Sequence, residues 1–291
     1  MVANKLKLLA IVGPTASGKT GLSIDIAKKY GGEIIAADSR TVYKGLDIGT
    51  AKPTKAEQSG IPHWGFDLVG PGETFTVADY KEFAQNKITE IQHRGNLPIL
   101  VGGTGLYIDA LLYDYSFAPP DLEKRKQLET LGVLELQRMI SEAGLALPEN
   151  DQNRRYLIRV LEKGPVTTTR QRLGDDTAVI GLNPDKAVLR QRIIERANTM
   201  LEQGVMDEVQ WAFSAYSPDS EALTGGIYRI FRDVIWGDLP KEKAIELFTL
   251  SDWHLAKRQL TWLKRNQDIH WFSDTETALA WFKQTFGGTL K

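Results

Sequence analysis

Three short segments carry residues that could do chemistry together. Gly13-Pro14-Thr15-Ala16-Ser17-Gly18-Lys19-Thr20 fits the phosphate-cradling pattern G-x-x-x-x-G-K-[ST] in full. Backbone N–H groups of such a loop surround a di- or triphosphate at a helix start, Lys19 adds a point charge, and the Thr20 hydroxyl can hold Mg²⁺. Asp38 follows the apolar run Glu33-Ile34-Ile35-Ala36-Ala37 and is succeeded by Ser39 and Arg40. A single carboxylate beside a phosphate cradle has two uses: it can bind Mg²⁺, or it can take a proton from an incoming nucleophile. Small-molecule kinases use that arrangement, and so does a transferase whose leaving group is pyrophosphate. A turn cap is the plainer use. Gly102-Gly103-Thr104-Gly105 places three glycines around one hydroxyl, a composition that lets backbone approach a ligand closely.

The elements around these segments have to bring them to one edge. Leu6 to Val12 reads as a buried strand and Gly21 to Tyr30 as the helix after the loop. Leu97 to Val101 reads as another strand, ending in Gly102-Gly103 rather than in the acid with which an ordinary P-loop ATPase organises Mg²⁺. Thr76 to Arg94 and Leu106 to Leu112 read as helices. Strands alternating with helices predict a parallel sheet covered on both faces, with ligands at the carboxyl ends of the strands. The fold class is therefore α/β: a P-loop NTPase-like parallel sheet with helices on both faces, plus a small helical insertion. We divide the chain into a catalytic core, 1–116 and 151–291, and an insertion, 117–150, bounded by Ala118-Pro119-Pro120 and Pro148-Glu149-Asn150-Asp151. Asp121 to Gly144, Lys186 to Ala212, Ile227 to Trp236, Lys241 to Lys264 and Thr275 to Phe286 read as helices; Val179 to Leu182 and Ile269 to Phe272 read as strands.

Basic residues cluster twice. The first cluster is Asn153-Arg154-Arg155-Tyr156-Leu157-Ile158-Arg159, and the second is Lys257-Arg258-Gln259-Leu260-Thr261-Trp262-Leu263-Lys264-Arg265. Cations beside aromatic faces suit an RNA backbone and unstacked bases, although the pattern of Trp262 and the leucines suits a core-facing stripe better. Arg192 and Arg196 lie four apart on one predicted helix, with Glu195 and Glu202 in reach as surface partners. The 291 residues are 42% hydrophobic and 25% charged, within the range of a globular enzyme. There are no cysteines, which excludes disulfides, thiolate metal sites and cysteine nucleophiles and suits a reducing cytoplasm. The formal net charge is −1, so a nucleic acid would be held by local patches rather than by the overall field. No apolar run reaches the ~20 residues of a membrane span, and no secretory signal is read at the start.

The segments GPTASGKT, DSRTVYKGLDIGTAKPT (Asp38 to Thr54), VGGTGLYI (Val101 to Ile108) and LAKRQLTWLKRN (Leu255 to Asn266), in this order, resemble the tRNA dimethylallyltransferases over nearly the whole chain. The resemblance implies that the cradle, Gly13 to Thr20, holds the pyrophosphate of dimethylallyl diphosphate rather than ATP, with Mg²⁺ at Thr20. It implies that the exocyclic amine of the adenosine 3′ of the anticodon attacks the allylic carbon. Asp38 then matches the general base, Thr104 a residue at the reaction centre, and Arg196 an arginine that neutralises the diphosphate. Asp38, Ser39, Arg40, Thr41, Thr104, Asn153, Arg154, Arg155, Arg159, Lys257 and Arg258 match segments that touch tRNA, and the insertion matches a domain gripping the anticodon stem-loop. A cytoplasmic monomer is expected. Adenylate dimethylallyltransferase, with the same chemistry on a free nucleotide, and an ATP-dependent small-molecule kinase are the competing readings. The chain departs from the family pattern in three places. Thr41 stands where glutamine is usual, Gly226-Ile227-Tyr228 where Ile-Gly-Tyr is usual, and Asp252-Trp253 where Thr-Arg is usual.

Overall fold

A computed structural model describes residues 6–116, 121–148, 151–163, 171–288 and 290. Two compact units result: one from residues 1–112 and 172–291, the other Tyr113–Gln171.

The first unit is built on six parallel strands in the order β3-β2-β4-β1-β5-β6. They are β1 Leu8–Val12, β2 Gly32–Ala37, β3 His63–Trp64, β4 Leu97–Gly102, β5 Thr177–Leu182 and β6 Ile269–Phe272. Apolar side chains on both faces make this a buried sheet. Leu9 and Ile11 of β1, Ile99 of β4 and Ile180 of β5 join one core with Leu22 and Ile26 of α1 (Lys19–Tyr30) and with Ala278 and Phe282 near the C-terminus. The intervening Ala10, Val12, Leu100 and Val179 are equally inaccessible. Two-sided burial of this kind is what parallel strands require.

Helices connect successive strands except β2 and β3, which are joined by turns. Helix α2 (Val77–His93) starts at a reciprocal cap: the Thr76 hydroxyl accepts from Asp79 N, and the Asp79 carboxylate accepts from Thr76 N at 2.8 Å. Helix α3 (Gly105–Leu112) follows β4 directly. The two-residue strand β3, which pairs Ile34 with His63 and Ile35 with Trp64, was not foreseen. Two residues carry no readable alternation.

The second unit holds α4 (Leu122–Leu128), α5 (Val133–Glu142) and α6 (Arg154–Lys163) around Leu128, Leu136, Ile140, Leu157, Ile158 and Leu161. The single helix expected over Asp121 to Gly144 is thus two, interrupted at Glu129 to Gly132. The unit is also wider than the expected 117–150. Leu157, Ile158 and Leu161 are core residues of this unit, so α6 and its basic cluster belong to it and not to the catalytic core. The expected boundaries at Ala118-Pro119-Pro120 and Glu149-Asn150 lie outside the described residues.

The remaining helices of the first unit are α7 (Lys186–Glu202), α8 (Val205–Ala215), α9 (Gly226–Ile235), α10 (Lys241–Leu263) and α11 (Thr275–Phe286). The expected single helix from Lys186 to Ala212 breaks at Gly204, whose φ of +91° reverses the chain. Helices α7 to α10 close a second core, which includes Val42, Tyr43, Leu46, Met200, Val209, Tyr228, Phe231 and Phe248. Through Val42, Tyr43 and Leu46, this core anchors the segment that follows Asp38. No helix among the described residues is long and apolar enough to cross a membrane.

Candidate active site

Strand register aligns the three chemical segments. Ala37 of β2 pairs with Gly102 of β4, and Gly102 pairs with Val12 of β1. Asp38, Gly103 and Gly13 therefore leave neighbouring strands at one level. Beside them lies a cavity of about 1020 Å³ lined by Thr15 to Thr20 of the cradle, Asp38, Arg40, Thr41, Gly102 and Gly103, together with side chains of α7 and α10.

The cradle has the geometry its sequence predicts. Gly13 takes φ +153°, and a Cβ there would come within 2.6 Å of the Leu182 carbonyl oxygen. Gly18 sits in the left-handed region as the N-cap of α1, leaving the helix start open to an anion. The Lys19 ammonium donates to the Pro14 carbonyl at 2.6 Å. Enclosure among protein atoms lowers its pKa to about 8; Asp38 opposes that shift and Arg196 adds to it. Lys19 thus feels both Asp38 and Arg196. Thr20 is exposed at the first turn of α1.

Asp38 is held in place from both sides. Its Oδ1 accepts from Arg40 N at 2.8 Å, and its main-chain oxygen accepts from the Thr41 hydroxyl at 3.3 Å. The turn-cap use is therefore real, but it occupies one carboxylate oxygen; no described residue donates to the other. Thr104 supports the same turn: its N–H donates to Ala37 O at 3.2 Å, and its hydroxyl accepts from Ser39 N at 3.1 Å. Thr41, expected at the RNA, is a buried part of the cavity wall. Arg40 donates through Nη1 to the Glu221 carbonyl.

Gly102 and Gly103 line the cavity, and close packing also requires the three glycines of the second loop. A Cβ on Gly102 would strike Ala37 O at 2.1 Å, one on Gly103 the Gln259 amide at 2.4 Å, and one on Gly105 the Trp262 ring at 2.1 Å. Trp262 also donates to Asp109 at 2.8 Å, so it belongs to the structure and not to an exposed stacking face.

Gln259 and Glu208 were given no role by sequence reasoning, and Arg192, weighed there as part of a solvated helix face, turns to the site. Gln259 accepts from Thr15 N at 2.8 Å and so ties α10 to the cradle. Arg192 donates to Ser17 O at 3.3 Å and lines the cavity. Glu208 of α8 gathers the turn after Asp38: it accepts from Asp47 N and Ile48 N at 2.7 Å each, from Gly49 N at 2.8 Å and from the Tyr228 hydroxyl at 2.9 Å. Burial, reinforced by Glu208, raises the Tyr228 pKa and keeps that donor protonated. Arg196 lines the cavity as expected but is paired with Asp252.

The two basic clusters divide. Arg258 lines the cavity, whereas Lys257 lies over the Trp253 ring at 5.5 Å. In the second unit Arg154 and Arg155 are exposed. Arg159 faces the buried Glu162 at 3.6 Å, a carboxylate that also takes a bidentate pair from Arg125 at 2.7 and 2.8 Å. Asn153 accepts from Arg155 N at 3.0 Å at the start of α6.

The model of the IPP transferase family matches residues 41–266. The chain belongs to that family. It is 43% identical over 282 residues to a tRNA dimethylallyltransferase of Pediococcus pentosaceus, covering 91% of this chain and 90% of the relative. It is 40% identical to the tRNA dimethylallyltransferase of Bacillus velezensis, with 93% and 92% covered. Among solved structures it is similar to the full-length tRNA isopentenylpyrophosphate transferase of Bacillus halodurans, with TM-score 0.75, 36% identity, and 98% and 97% of the two chains covered. It is also similar to a eukaryotic dimethylallyltransferase studied acting on tRNA, with TM-score 0.76, 26% identity, and 97% and 76% covered. In this IPP transferase the three departures have definite places. Thr41 is in the cavity wall, Tyr228 buttresses Glu208, and Asp252-Trp253 meets Arg196 and Arg190, the latter 4.5 Å above the Trp253 ring.

Proposed function

We propose that this protein transfers a dimethylallyl group from dimethylallyl diphosphate to the exocyclic N6 amine of an adenosine in tRNA, releasing pyrophosphate. The acceptor is the adenosine 3′ of the anticodon in tRNAs that read codons starting with U. The observation that carries this reading is the shared level of Val12, Ala37 and Gly102, which brings an anion cradle and one half-free carboxylate to a single cavity.

The diphosphate lies on the N–H groups of Gly13 to Thr20, with Lys19, Arg192 and Arg196 around it. Charge grows on the bridging oxygen as the allylic C–O bond breaks, and preorganised donors and cations act where that charge forms. The amine nitrogen forms the new bond to carbon and loses a proton to Asp38; pyrophosphate leaves with the electron pair. Adenine's amine lone pair is delocalised into the ring, so an aligned acceptor assists it. Thr104 holds the Asp38 turn and stands beside the reacting centre. A stacked base cannot reach such a cavity, so the adenosine is extruded, at a cost of a few kcal/mol. Contacts of Ser39, Arg40 and Arg258 with the loop, and of the exposed Arg154 and Arg155 with backbone phosphates, offset that cost.

Mg²⁺ fits as a partner of the diphosphate. Among the described residues no group of three acidic or histidine side chains could cage a metal. Mg²⁺ commonly takes one or two protein oxygens and completes its octahedron with phosphate and water. The exposed Thr20 hydroxyl is the protein oxygen suited to it, and the ion would supply positive charge to the leaving group.

The test is transfer of labelled prenyl from dimethylallyl diphosphate, with Mg²⁺, to an unmodified anticodon stem-loop and, separately, to AMP. Label on the stem-loop and not on AMP is expected. Label on AMP alone would replace the tRNA reading with the free-nucleotide one.

A further inference from the structure

Arg196 and Asp252 form an ion pair inside the cavity that is proposed to take the diphosphate. Asp252 projects from α10 and is buried, with its side chain 10% exposed. It bonds Nη2 of Arg196, while Nε of the same guanidinium is buried and has no hydrogen-bond partner among the described residues. A buried N–H without an acceptor is uncommon, and a guanidinium offers five donors in a fixed fork. Arg196 is therefore half-satisfied: one edge is held by the carboxylate, and one donor is open to a further oxygen. Its charge also reaches Lys19, so the arginine stands within electrostatic range of the cradle.

We propose that Asp252 is a built-in counter-ion that speeds release of the pyrophosphate product. The inference rests on the diphosphate reading of the cavity. With no ligand bound, the carboxylate neutralises Arg196 in a site that already carries Lys19 and Arg192. When a diphosphate arrives, Asp252 competes with it for the guanidinium and repels it as a like charge. Transfer makes this repulsion larger. Cleavage of the C–O bond turns a diphosphate monoester into free pyrophosphate, which bears one more ionisable oxygen on the bridging side. The same carboxylate thus weakens the hold on product more than on substrate. That difference is what a low-dielectric cation cluster needs if it is not to trap its own leaving group.

The experiment is titration calorimetry of pyrophosphate, with Mg²⁺, into the full-length protein and its Asp252→Asn variant, alongside a non-transferable thio analogue of dimethylallyl diphosphate. Removing one close like charge should tighten pyrophosphate roughly tenfold and the analogue by a smaller factor. Steady-state product inhibition by pyrophosphate should strengthen in parallel. Adding Arg196→Gln to Asp252→Asn should abolish the gain. Asp252→Ser, with unfolding curves for both single variants, provides the same comparison if the asparagine form does not fold. Unchanged or weaker pyrophosphate binding in the folded variants would overturn the proposal and make Asp252 a simple support for Arg196. Failure of wild-type protein to bind pyrophosphate at all would overturn the diphosphate reading itself, and this inference with it.

Discussion

Lys19 should make diphosphate binding take up protons. In the empty site its pKa is about 8 against an ordinary value of 10.5, with burial the leading cause. A bound diphosphate places several negative charges against the ammonium and returns the pKa toward or above the ordinary value. At pH 8 half of the empty protein carries a neutral Lys19, so binding should absorb about half a proton per site. At pH 9 only about a tenth of the lysine is charged, and affinity should fall about tenfold between pH 7 and pH 9. The sign for stability follows from the same depression. The empty fold bears the cost of a buried ammonium fully below pH 8, and that cost lifts as pH rises toward 10.5. Lys19→Met should therefore stabilise the empty protein while removing the proton uptake. The assay is calorimetry of the non-transferable diphosphate analogue at pH 7, 8 and 9, each in two buffers of different ionisation enthalpy. Zero uptake at pH 8, or equal uptake by Lys19→Met, would refute the placement of Lys19 against the diphosphate.

Asp38→Asn should lower single-turnover prenyl transfer by about 10²- to 10⁴-fold while leaving tRNA affinity within a small factor; equal loss of both would remove it as the base. Glu208→Gln keeps the shape but replaces one acceptor oxygen by a donor NH2, so two of the four hydrogen bonds at the turn after Asp38 are lost; it should cost about 1.5–3 kcal/mol in denaturant unfolding and lower kcat with it. Replacing Arg154 and Arg155 by alanine should weaken tRNA binding and lower the slope of log affinity against log salt by about two. An unchanged slope would take both arginines off the RNA.

The local features of the site could be read from residue order because their physics is local. A strand, a glycine loop and a helix start are adjacent in the chain, so Gly13 to Thr20 declare themselves. Asp38 and Thr104 follow apolar runs directly and inherit their position from the sheet. What stayed hidden depends on distant partners. Arg192 looks like part of a solvated helix face, and only the docking of α7 beside the cradle turns it inward. Gln259 and Glu208 satisfy backbone N–H groups 244 and 161 residues away, with no local signal of either. The packing partners of the second loop's glycines, Ala37, Gln259 and Trp262, are known only once β2 and α10 are in place. The second unit was drawn too short because proline-rich breaks marked its edges, whereas the apolar face of α6 decides where it ends.

The central claim is that the cradle carries a departing pyrophosphate while Asp38 faces the amine that displaces it. A crystal structure with the non-transferable dimethylallyl diphosphate analogue and an anticodon stem-loop tests this most directly. The account predicts the diphosphate on Gly13 to Thr20, the prenyl carbon between it and Asp38, and an extruded adenine with its N6 within hydrogen-bond reach of that carboxylate. A nucleoside triphosphate preferred in the cradle, with its terminal phosphoryl group toward Asp38 and no place for the prenyl chain, would contradict it.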